Sequence, residues 1–365
     1  MSQDEKETGS QLSQGSSSGD SQNEFLTPKQ FRHKKVNFLR NTDMTKSPSF
    51  MVPASPTMKR LGYGTGVGVY LMERSPRASG EVRSPWAIKK ISKLRKDTKL
   101  FERRLEFEAE ILRNLTHPNI IGYRAFGNPT TDVTFLAMEK ASKSLFDLIE
   151  DRVEELTPDG VSPFPALKIF RVAVDVAQAL HYLHEEKKLI HGDLKSGNVL
   201  VFGDFDAVKL CDFGVARKIK DDGLVDGLYV GTEIWNPMEV VLANRGQKKY
   251  PVTAKVDIYP YALTLHEMIS LKIPHFNTAE EDYGESMGDN DNSQSESSYD
   301  EHAFDEALGR QLGKRPTLPD FAFDESYNTI LGVFYVCSNE NPQDRPTAEE
   351  ILSMLSENET NIGKD

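Results

Sequence analysis

Hydrophobic and polar positions change their spacing along the chain, and the changes divide it into regions. Residues 1 to 56 show neither helical nor strand periodicity and are rich in Ser, Gln, Asn and Thr, which predicts a disordered tail. Alternating apolar positions predict one strand at Val67–Arg74 and another over residues 85 to 91. A charged stretch with helical spacing follows over residues 98 to 114. Together they predict a small β-rich unit with one main helix.

Helical spacing dominates the rest of the chain. After a strand-like apolar segment at residues 135 to 139, long amphipathic helices are predicted, the clearest over residues 166 to 186. A smaller β-rich part followed by a larger helical part predicts an α+β fold of two lobes. We predict a folded domain at 57–357, with an N-lobe at 57–139, a C-lobe at 142–357 and a short C-terminal tail at 358–365.

An acidic segment interrupts the helical region. Residues 280 to 306 hold eleven of the 56 acidic side chains and no Lys or Arg, so most of the formal charge of −12 belongs to this segment. We predict an exposed insert, which would act as a spacer or as a partner-binding loop. The rest of the chain is nearly neutral and has no basic footprint, so we expect no binding to nucleic acid.

Composition is typical of a soluble globular protein, with 38% hydrophobic and 27% charged residues. No apolar run reaches the roughly 20 residues that cross a bilayer, and the first residues lack the apolar stretch of a signal peptide. Cys211 and Cys337 are too few for a disulfide framework. We therefore expect no membrane association and a cytoplasmic or nuclear location.

The predicted tail carries a basic patch at residues 32 to 35 and three proline-directed sites, Thr27-Pro28, Ser47-Pro48 and Ser55-Pro56. The patch is a solvated run of charge, a docking peptide for a partner kinase or a nuclear import signal. An upstream proline-directed kinase would add about −1.5 to −2 charges at each site. We predict that the tail is regulatory.

A glycine-rich turn, Gly62-Tyr63-Gly64-Thr65-Gly66, lies between strand-like segments. Glycines let backbone amides approach phosphate oxygens without a Cβ in the way, but a tight β-hairpin turn explains them equally well. The turn is no dinucleotide-binding fingerprint, since a strand rather than a helix follows it, and no Walker A loop, since no Gly-Lys-Ser/Thr closes it.

Lys89 lies in an apolar strand-like run, Ala87-Ile88-Lys89. Burying an unpaired ammonium is costly, so this lysine needs an anion unless its side chain reaches the surface. The candidate anions are a ligand phosphate and the carboxylate of Glu108 on the following predicted helix.

Two segments carry the strongest chemical signal, residues 189 to 200 and residues 209 to 214. They place Asp193, Asn198 and Asp212 around a short predicted hairpin. This arrangement gathers oxygen ligands for Mg²⁺ beside a base for a hydroxyl group. Each short motif occurs by chance, but their joint spacing after a glycine turn and a strand lysine rarely does.

This ordered set of motifs resembles the signature of the eukaryotic protein kinases over about residues 57 to 357. The resemblance implies a two-lobed enzyme that uses ATP and Mg²⁺ to phosphorylate Ser or Thr of protein substrates, with dual specificity for Tyr as an alternative. It implies catalytic roles for Asp193, Lys195, Asn198 and Thr232, and metal binding by Asn198 and Asp212. It implies nucleotide binding by Leu61, Gly62, Gly64, Gly66, Val69, Ala87, Lys89, Glu108, Met138, Glu139 and Ala141.

The resemblance also assigns individual roles. Asp193 would accept the proton of the substrate hydroxyl, and Lys195, two residues later, would neutralise γ-phosphate charge, as in Ser/Thr kinases. Asp257 would brace the catalytic loop. Glu239 and Arg345 would form a buried ion pair of the C-lobe.

Several positions depart from the pattern of the family. Val67 replaces a glycine of the loop, Gly192 replaces the arginine before the base, and Met238 lies within what is usually Ala-Pro-Glu. Without the arginine, a phosphate on the activation loop loses its usual partner, so we predict activation that does not depend on that pairing. The departures also motivate an alternative, a pseudokinase scaffold that binds partners without turnover.

Residues 117–126, 191–199 and 229–237 make the resemblance closest to a mitotic branch related to the mitogen-activated protein kinase kinases. This implies p38-type kinases and histone H3 as candidate substrates, phosphorylation of Thr27 in mitosis, and the mitotic spindle as a further location. It also implies binding to PDZ domains. We expect none, because the sequence ends in Asp365 where a PDZ ligand needs an apolar residue.

Overall fold

The computed structural model of the chain describes residues 59–64, 67–77, 79–91, 98–127, 134–155, 162–247, 250–276 and 301–362. The predicted tail with Thr27 and the other proline-directed sites lies outside these residues. Gly66, residues 280–300 of the acidic segment and the last three residues also lie outside them.

A five-stranded antiparallel sheet forms the N-lobe. Its strands are β1 (Arg60–Gly64), β2 (Val67–Arg74), β3 (Arg83–Ile91), β4 (Tyr123–Gly127) and β5 (Phe135–Glu139). They pair in the order β1-β2-β3-β5-β4. Because side chains alternate between the faces of a strand, Ala87 and Lys89 share a face with Met138, which is the partner of Ala87 on β5. Ile88 lies on the opposite face and is buried with Met72.

The helix α1 (Thr98–Arg113) packs beside this sheet through one apolar stripe. Leu105, Ala109 and Leu112 are buried at the spacing of a single helical face. Glu108 lies beside them and is only 2% exposed, so its charge requires a partner.

The C-lobe is built on helices. In the described residues these are α2 (Leu145–Glu155), α3 (Ala166–His181), α4 (Met238–Asn244), α5 (Ile258–Ser270), α6 (Glu301–Gln311), α7 (Asn328–Cys337) and α8 (Ala348–Ile362). Every residue of α5 is buried, and α3 packs against α5, α7 and α8. The helix predicted over residues 166 to 186 is α3 followed by one π-helical turn, Tyr182–Glu186.

Short strands of the C-lobe flank the segments that carry the predicted catalytic and metal-binding residues. They are β6 (Lys143–Ser144), β7 (Leu189–Ile190), β8 (Val199–Phe202), β9 (Ala207–Leu210) and β10 (Arg217–Lys218). β8 pairs with β6 and β9, and β7 pairs with β10. The loop from His191 to Asn198 therefore connects β7 to β8, each of which is paired with other strands. Asp212 follows the end of β9.

The predicted α+β fold of two lobes is confirmed. The prediction that residues 280 to 306 form an exposed insert is wrong at the end of this segment. Residues 301 to 306 begin α6, and Phe304 is buried there against Phe276. An apolar anchor thus overrides the acidic composition there. In the part of the chain that the structure describes, no helix has the length and apolar character required to span a bilayer.

Candidate active site

Lys89 on β3 lies between two carboxylates. Its Nζ donates a hydrogen bond to Glu108 Oε2 at 2.8 Å and lies 2.9 Å from Asp212 Oδ1. Lys89 is 7% exposed and Glu108 2% exposed. The buried ammonium thus has the carboxylate partner that the sequence predicted, and a second one contributed by the C-lobe.

The charges of this group depend on one another. Burial lowers the pKa of Lys89, but Asp212 and Glu108 together raise it well above its ordinary value. Burial also raises the pKa of Asp212, whereas Lys89 and then Lys195 lower it, to about 2 as the net result. Lys89 and Asp212 are therefore charged at neutral pH, one suited to anionic oxygens and the other to a cation.

A second group surrounds Asp193 in the loop after β7. Asp193 Oδ1 accepts hydrogen bonds from the backbone N–H of Thr232 at 2.9 Å and from its hydroxyl at 2.6 Å. Lys195 Nζ lies 2.9 Å from Asp193 Oδ2 and donates to Thr232 Oγ1 at 2.5 Å. Asn198 Nδ2 donates to the carbonyl of Asp193 at 2.6 Å and to its Oδ2 at 3.1 Å. The four predicted catalytic residues thus form one connected network.

The buried carboxylate of Asp257 fixes the loop that carries Asp193. It accepts hydrogen bonds from the backbone N–H of His191 at 2.7 Å and of Gly192 at 3.0 Å, and lies 2.9 Å from His184 Nε2. Burial raises the pKa of Asp257, but hydrogen bonding and charge from His184 more than offset this and lower it. The bracing role predicted for Asp257 is therefore present in the structure.

Gly192, where a kinase signature has arginine, adopts a left-handed backbone conformation. Its φ is +81°, and a Cβ built on it would lie 3.0 Å from the carbonyl oxygen of Val215. Non-glycine residues are strained in this region. The departure from the signature therefore removes a charge and also relieves backbone strain beside Asp193.

Three of the residues predicted to bind a nucleotide, Val69, Ala87 and Met138, share the face of the sheet that carries Lys89. Val69 is opposite Lys89, and Ala87 is opposite Met138. Glu139, the last residue of β5, uses its backbone N–H within the N-lobe and donates to the carbonyl of Gly122 at 2.9 Å. Leu61, Gly62 and Ala141 are among the described residues, whereas Gly66 is not.

The side chain of Glu139 has a role that its motif did not indicate. Its two oxygens bind Lys209 of β9 at 2.6 Å and Arg124 of β4 at 3.0 Å. These ion pairs join the end of β5 to β4 in the N-lobe and to β9 in the C-lobe. Both side-chain oxygens of Glu139 are therefore engaged, and because its N–H binds Gly122, its backbone carbonyl is the group suited to recognise a base.

Asn198 and Asp212 are the residues that could hold a metal ion. Both offer oxygen atoms, which Mg²⁺ prefers, and Mg²⁺ commonly takes one or two carboxylates together with phosphate oxygens. Within the described residues, no group of three His, Cys, Asp or Glu side chains is arranged to bind a metal. The donor set thus fits a metal that arrives with a phosphate ligand and does not fit a metal held by the protein alone.

A buried carboxylate below the catalytic loop was missed by the sequence analysis. Glu267 of α5 accepts hydrogen bonds from the backbone N–H of Ser196 at 3.4 Å, from the Ser196 hydroxyl and from Trp235 Nε1 at 2.8 Å. It connects the loop after Asp193 with the segment that follows Thr232. Its one local signal is a single acidic residue in a mostly apolar helix.

The ion pair predicted for the C-lobe is present. Arg345 Nη1 and Nη2 donate to the two oxygens of Glu239 at 2.7 and 2.8 Å, and both side chains are fully buried. The pair joins α4 to the segment just before α8 and serves the fold.

Comparison with known proteins finds one matching family along most of the chain. Residues 56–355 match the family described as protein kinase domain. The human lymphokine-activated killer T-cell-originated protein kinase is 44% identical over 337 residues, which cover 91% of this chain and 97% of the human protein.

Two more relatives are much longer than this chain. The kinase and exchange factor for Rac B of Dictyostelium discoideum is 26% identical over 75% of this chain, and the leucine-rich repeat receptor-like protein kinase TDR of Arabidopsis thaliana is 30% identical over 83%. The chain spans 22% and 27% of these two proteins, so each similarity concerns only part of the relative.

Proposed function

The chain belongs to the protein kinase family, and on that premise we propose that it transfers the γ-phosphoryl group of ATP, bound with Mg²⁺, to Ser or Thr hydroxyls of proteins. The observation that carries the proposal is the closed network of Asp193, Lys195 and Thr232. It combines a base with a cation at the place where charge develops during phosphoryl transfer.

Each side chain contributes a distinct step. ATP with Mg²⁺ supplies the activated phosphoryl group when bound, and Asn198 and Asp212 are the residues that would hold the metal. Asp193 orients the incoming hydroxyl and accepts its proton, while Lys195 stabilises negative charge on the transferred group. Lys89, held between its two carboxylates, positions the phosphates that remain on the leaving group.

The preference for Ser and Thr over Tyr is also part of the proposal. Lys195 follows the base by two residues and also bonds Thr232, so the cation is fixed close to Asp193. A short hydroxyl side chain can then reach the base beside this cation. Dual specificity that includes Tyr is the alternative, and analysis of the phosphorylated amino acids separates the two.

The physiological setting is proposed from the sequence resemblance. We propose p38-type mitogen-activated protein kinases and histone H3 as substrates, and cytoplasmic and nuclear action that includes mitosis. We also propose that an upstream proline-directed kinase modifies Thr27. Support comes from the similarity of the motifs to a mitotic branch of kinases related to the mitogen-activated protein kinase kinases.

Transfer of labelled phosphate from ATP to histone H3 and to myelin basic protein tests the activity. Asp193→Ala and Lys89→Met should each abolish transfer, and labelled Ser and Thr should dominate the hydrolysed wild-type product. Matched controls come from a surface ion pair, Lys168 with Asp204 at 2.6 Å, so Lys168→Met and Asp204→Ala should retain full transfer. Equal labelling by the site variants and the wild type would refute the proposal.

A pseudokinase scaffold is the second candidate, favoured by Gly192 at the position of the usual arginine. In that case ATP with Mg²⁺ would raise the melting temperature of the purified protein while no protein acceptor became labelled. The same result should then appear with phosphorylated and with phosphatase-treated protein.

A further inference from the structure

The hairpin of β2 and β3 brings two arginines together. Arg74 at the end of β2 is paired in register with Arg83 at the start of β3. The connection between them turns through two hydrogen bonds, from Arg77 N–H to the Glu81 carbonyl at 2.9 Å and from Gly80 N–H to the Arg77 carbonyl at 2.8 Å. Like charges placed directly opposite on two strands destabilise a sheet, so this pairing calls for an explanation.

The nearby acidic side chains do not neutralise this arginine pair. Glu81 binds Arg77 at 2.8 Å, and Glu139 binds Arg124 at 3.0 Å. Among the described residues, neither Arg74 nor Arg83 forms an ion pair with a carboxylate.

Arg74 is also close to other cations. Its guanidinium lies 4.1 Å from the centre of the Trp86 ring. Burial lowers its pKa, and the charges of Arg83, Arg77 and Arg124 lower it further. The positive charges of four arginines therefore lie close together, three of them in the hairpin (Arg74, Arg77 and Arg83) and one on β4 (Arg124).

A serine is the direct sequence neighbour of one of these arginines. Ser75 follows Arg74 directly, precedes Pro76 and Arg77, and is exposed. A residue before proline favours an extended backbone, and an exposed Ser-Pro step is the kind of sequence that proline-directed kinases modify. We propose that Ser75 is a phosphorylation site and that its phosphate binds Arg74 and Arg83.

The modification balances in atoms and charge. A proline-directed protein kinase supplies ATP with Mg²⁺; the Ser75 Oγ forms a bond to the γ-phosphorus, the bond from that phosphorus to ADP breaks, and the hydroxyl proton passes to the base of that kinase. The product carries about −1.5 to −2 charges at neutral pH. Two arginines without a carboxylate partner match this charge, and arginine binds phosphate oxygens in a bidentate manner.

Ser84 of the same hairpin provides an internal comparison. Ser84 is also exposed and precedes a proline, but Pro85 is half-buried and both residues lie within β3, whereas Ser75 and Pro76 are exposed in the connection between the strands. The proposal therefore assigns the phosphate to Ser75. It concerns a modification received by the N-lobe and does not depend on the proposed function of the chain.

The experiment uses the full chain carrying Thr27→Ala, Ser47→Ala and Ser55→Ala, together with Lys89→Met to exclude labelling by the chain itself. A proline-directed kinase is added with ATP, and peptides are mapped by mass spectrometry. We expect phosphate on Ser75 and its loss in Ser75→Ala, while Ser84→Ala keeps it. Phosphate absent from Ser75 while other Ser-Pro or Thr-Pro steps are modified would overturn the proposal.

Phosphorus NMR then tests the arginine contacts on the same protein. The second pKa of a free phosphoserine is about 6, and a cationic partner lowers it, by about 1 unit or more. The opposing acidic groups are Glu73 and Glu81 in the hairpin and Glu139 on β5. We expect a lowered value in the phosphorylated chain that returns to about 6 in 1 M salt, where charges are screened.

Two variants make the contact test decisive. Arg74→Gln with Arg83→Gln should return the phosphate pKa to about 6, while Arg74→Lys, which keeps the charge, should retain most of the shift. Circular dichroism is used to check that each variant is folded. An unshifted phosphate pKa in the parent protein, or the same value in the parent and the double variant, would overturn the assignment of the arginines.

Discussion

Gly192 illustrates how one residue beside a catalytic base restricts substitution. Its φ of +81° and the 3.0 Å approach of a built Cβ to the Val215 carbonyl oxygen leave little room for a side chain. We predict that Gly192→Ala lowers the free energy of unfolding by about 1 to 2 kcal/mol, the cost of a left-handed conformation for an L-residue. Urea denaturation followed by circular dichroism measures this loss.

Gly197 serves as the control for that substitution. A Cβ built on it meets nothing within 4 Å, and its φ lies outside the left-handed region. Gly197→Ala should therefore leave the urea midpoint unchanged or slightly raised. Equal losses for the two substitutions would show that the backbone of Gly192 is not strained by a side chain.

Glu267 predicts a dependence of stability on pH. Burial raises its pKa from 4.5 to about 7, against the lowering effect of hydrogen bonds from Ser196 and Trp235. The folded state therefore holds a proton that the unfolded state loses, so stability falls as pH rises from about 4.5 to about 7 and changes little above it. The expected loss from this residue is about 3 kcal/mol across that window.

The Glu267→Gln variant isolates this contribution. Glutamine can keep the contacts, because its carbonyl oxygen accepts from Trp235 while the Ser196 hydroxyl accepts from its amide. We expect the free energy of unfolding of the wild type to fall relative to the variant between pH 4.5 and 7. Urea titrations at several pH values measure it, and parallel curves for the two proteins would rule out titration of Glu267.

At the scale of elements, residues 212 to 231, which we call the activation segment, differ from an activation segment whose position is fixed by phosphorylation. Residues 212 to 231 contain no Ser or Thr, and Tyr229, the one hydroxyl in this stretch, is buried at 8% exposure. The segment is held instead by backbone pairing of β10 with β7 and by bridges from Ile219 to Val225 and from Leu224 to Thr253. Its position is set by these contacts.

We therefore predict that phosphatase-treated protein keeps its rate of phosphate transfer within about twofold. Tyr229→Phe should behave in the same way, because the ring keeps its packing. The rate is measured with a protein acceptor after mass spectrometry has verified that the activation segment is unmodified. Thr27→Ala and Ser75→Ala are included in the protein that is treated, so that phosphate lost from those two proposed sites does not enter the comparison. A loss of tenfold or more in either case would then mean that a phosphate, or this hydroxyl, orders the segment.

The two elements of the N-lobe hairpin show which features could be read from the sequence. The alternation of apolar residues indicated β2 and β3 because it is a local property of each strand. The pairing of Arg74 with Arg83 could not be read, because it depends on an irregularity in the register between Met72 and Arg74. Spacing predicts that strands exist, and three-dimensional contact decides which side chains face each other.

Across the whole molecule, contacts indicated by local sequence motifs could be predicted, whereas contacts between residues far apart in the chain could not. The contact of Lys89 with Glu108 was expected because a buried lysine needs an anion, and the carboxylate of Glu108 on the following predicted helix was a candidate. The hydrogen bonds from Ser196 to Glu267 join residues 71 positions apart, and neither residue has a local pattern that announces them. The start of α6 was hidden because acidic composition masked the apolar anchor of Phe304.

The ion pair of Arg345 with Glu239 ties together segments that are distant in sequence. Besides the two bonds to Glu239, Arg345 donates to the carbonyl oxygens of Asn339 at 2.6 Å, Lys255 at 3.1 Å and Glu340 at 3.1 Å. Removing one partner of such a pair leaves an uncompensated buried charge. We predict that Arg345→Met lowers the free energy of unfolding by about 3 to 5 kcal/mol.

Glu239→Met combined with Arg345→Met should lose less than the sum of the two single substitutions, because no charge then remains buried. The double variant should still lose about 1 to 3 kcal/mol, since three carbonyl oxygens lose a donor. Arg310→Met is the surface control: its 3.3 Å pair with Glu306 is exposed, so its removal should cost less than about 1 kcal/mol. Urea denaturation of all four variants gives the coupling energy. Additive losses would mean that the pair acts through its separate hydrogen bonds and that charge compensation contributes little to the stability of the C-lobe.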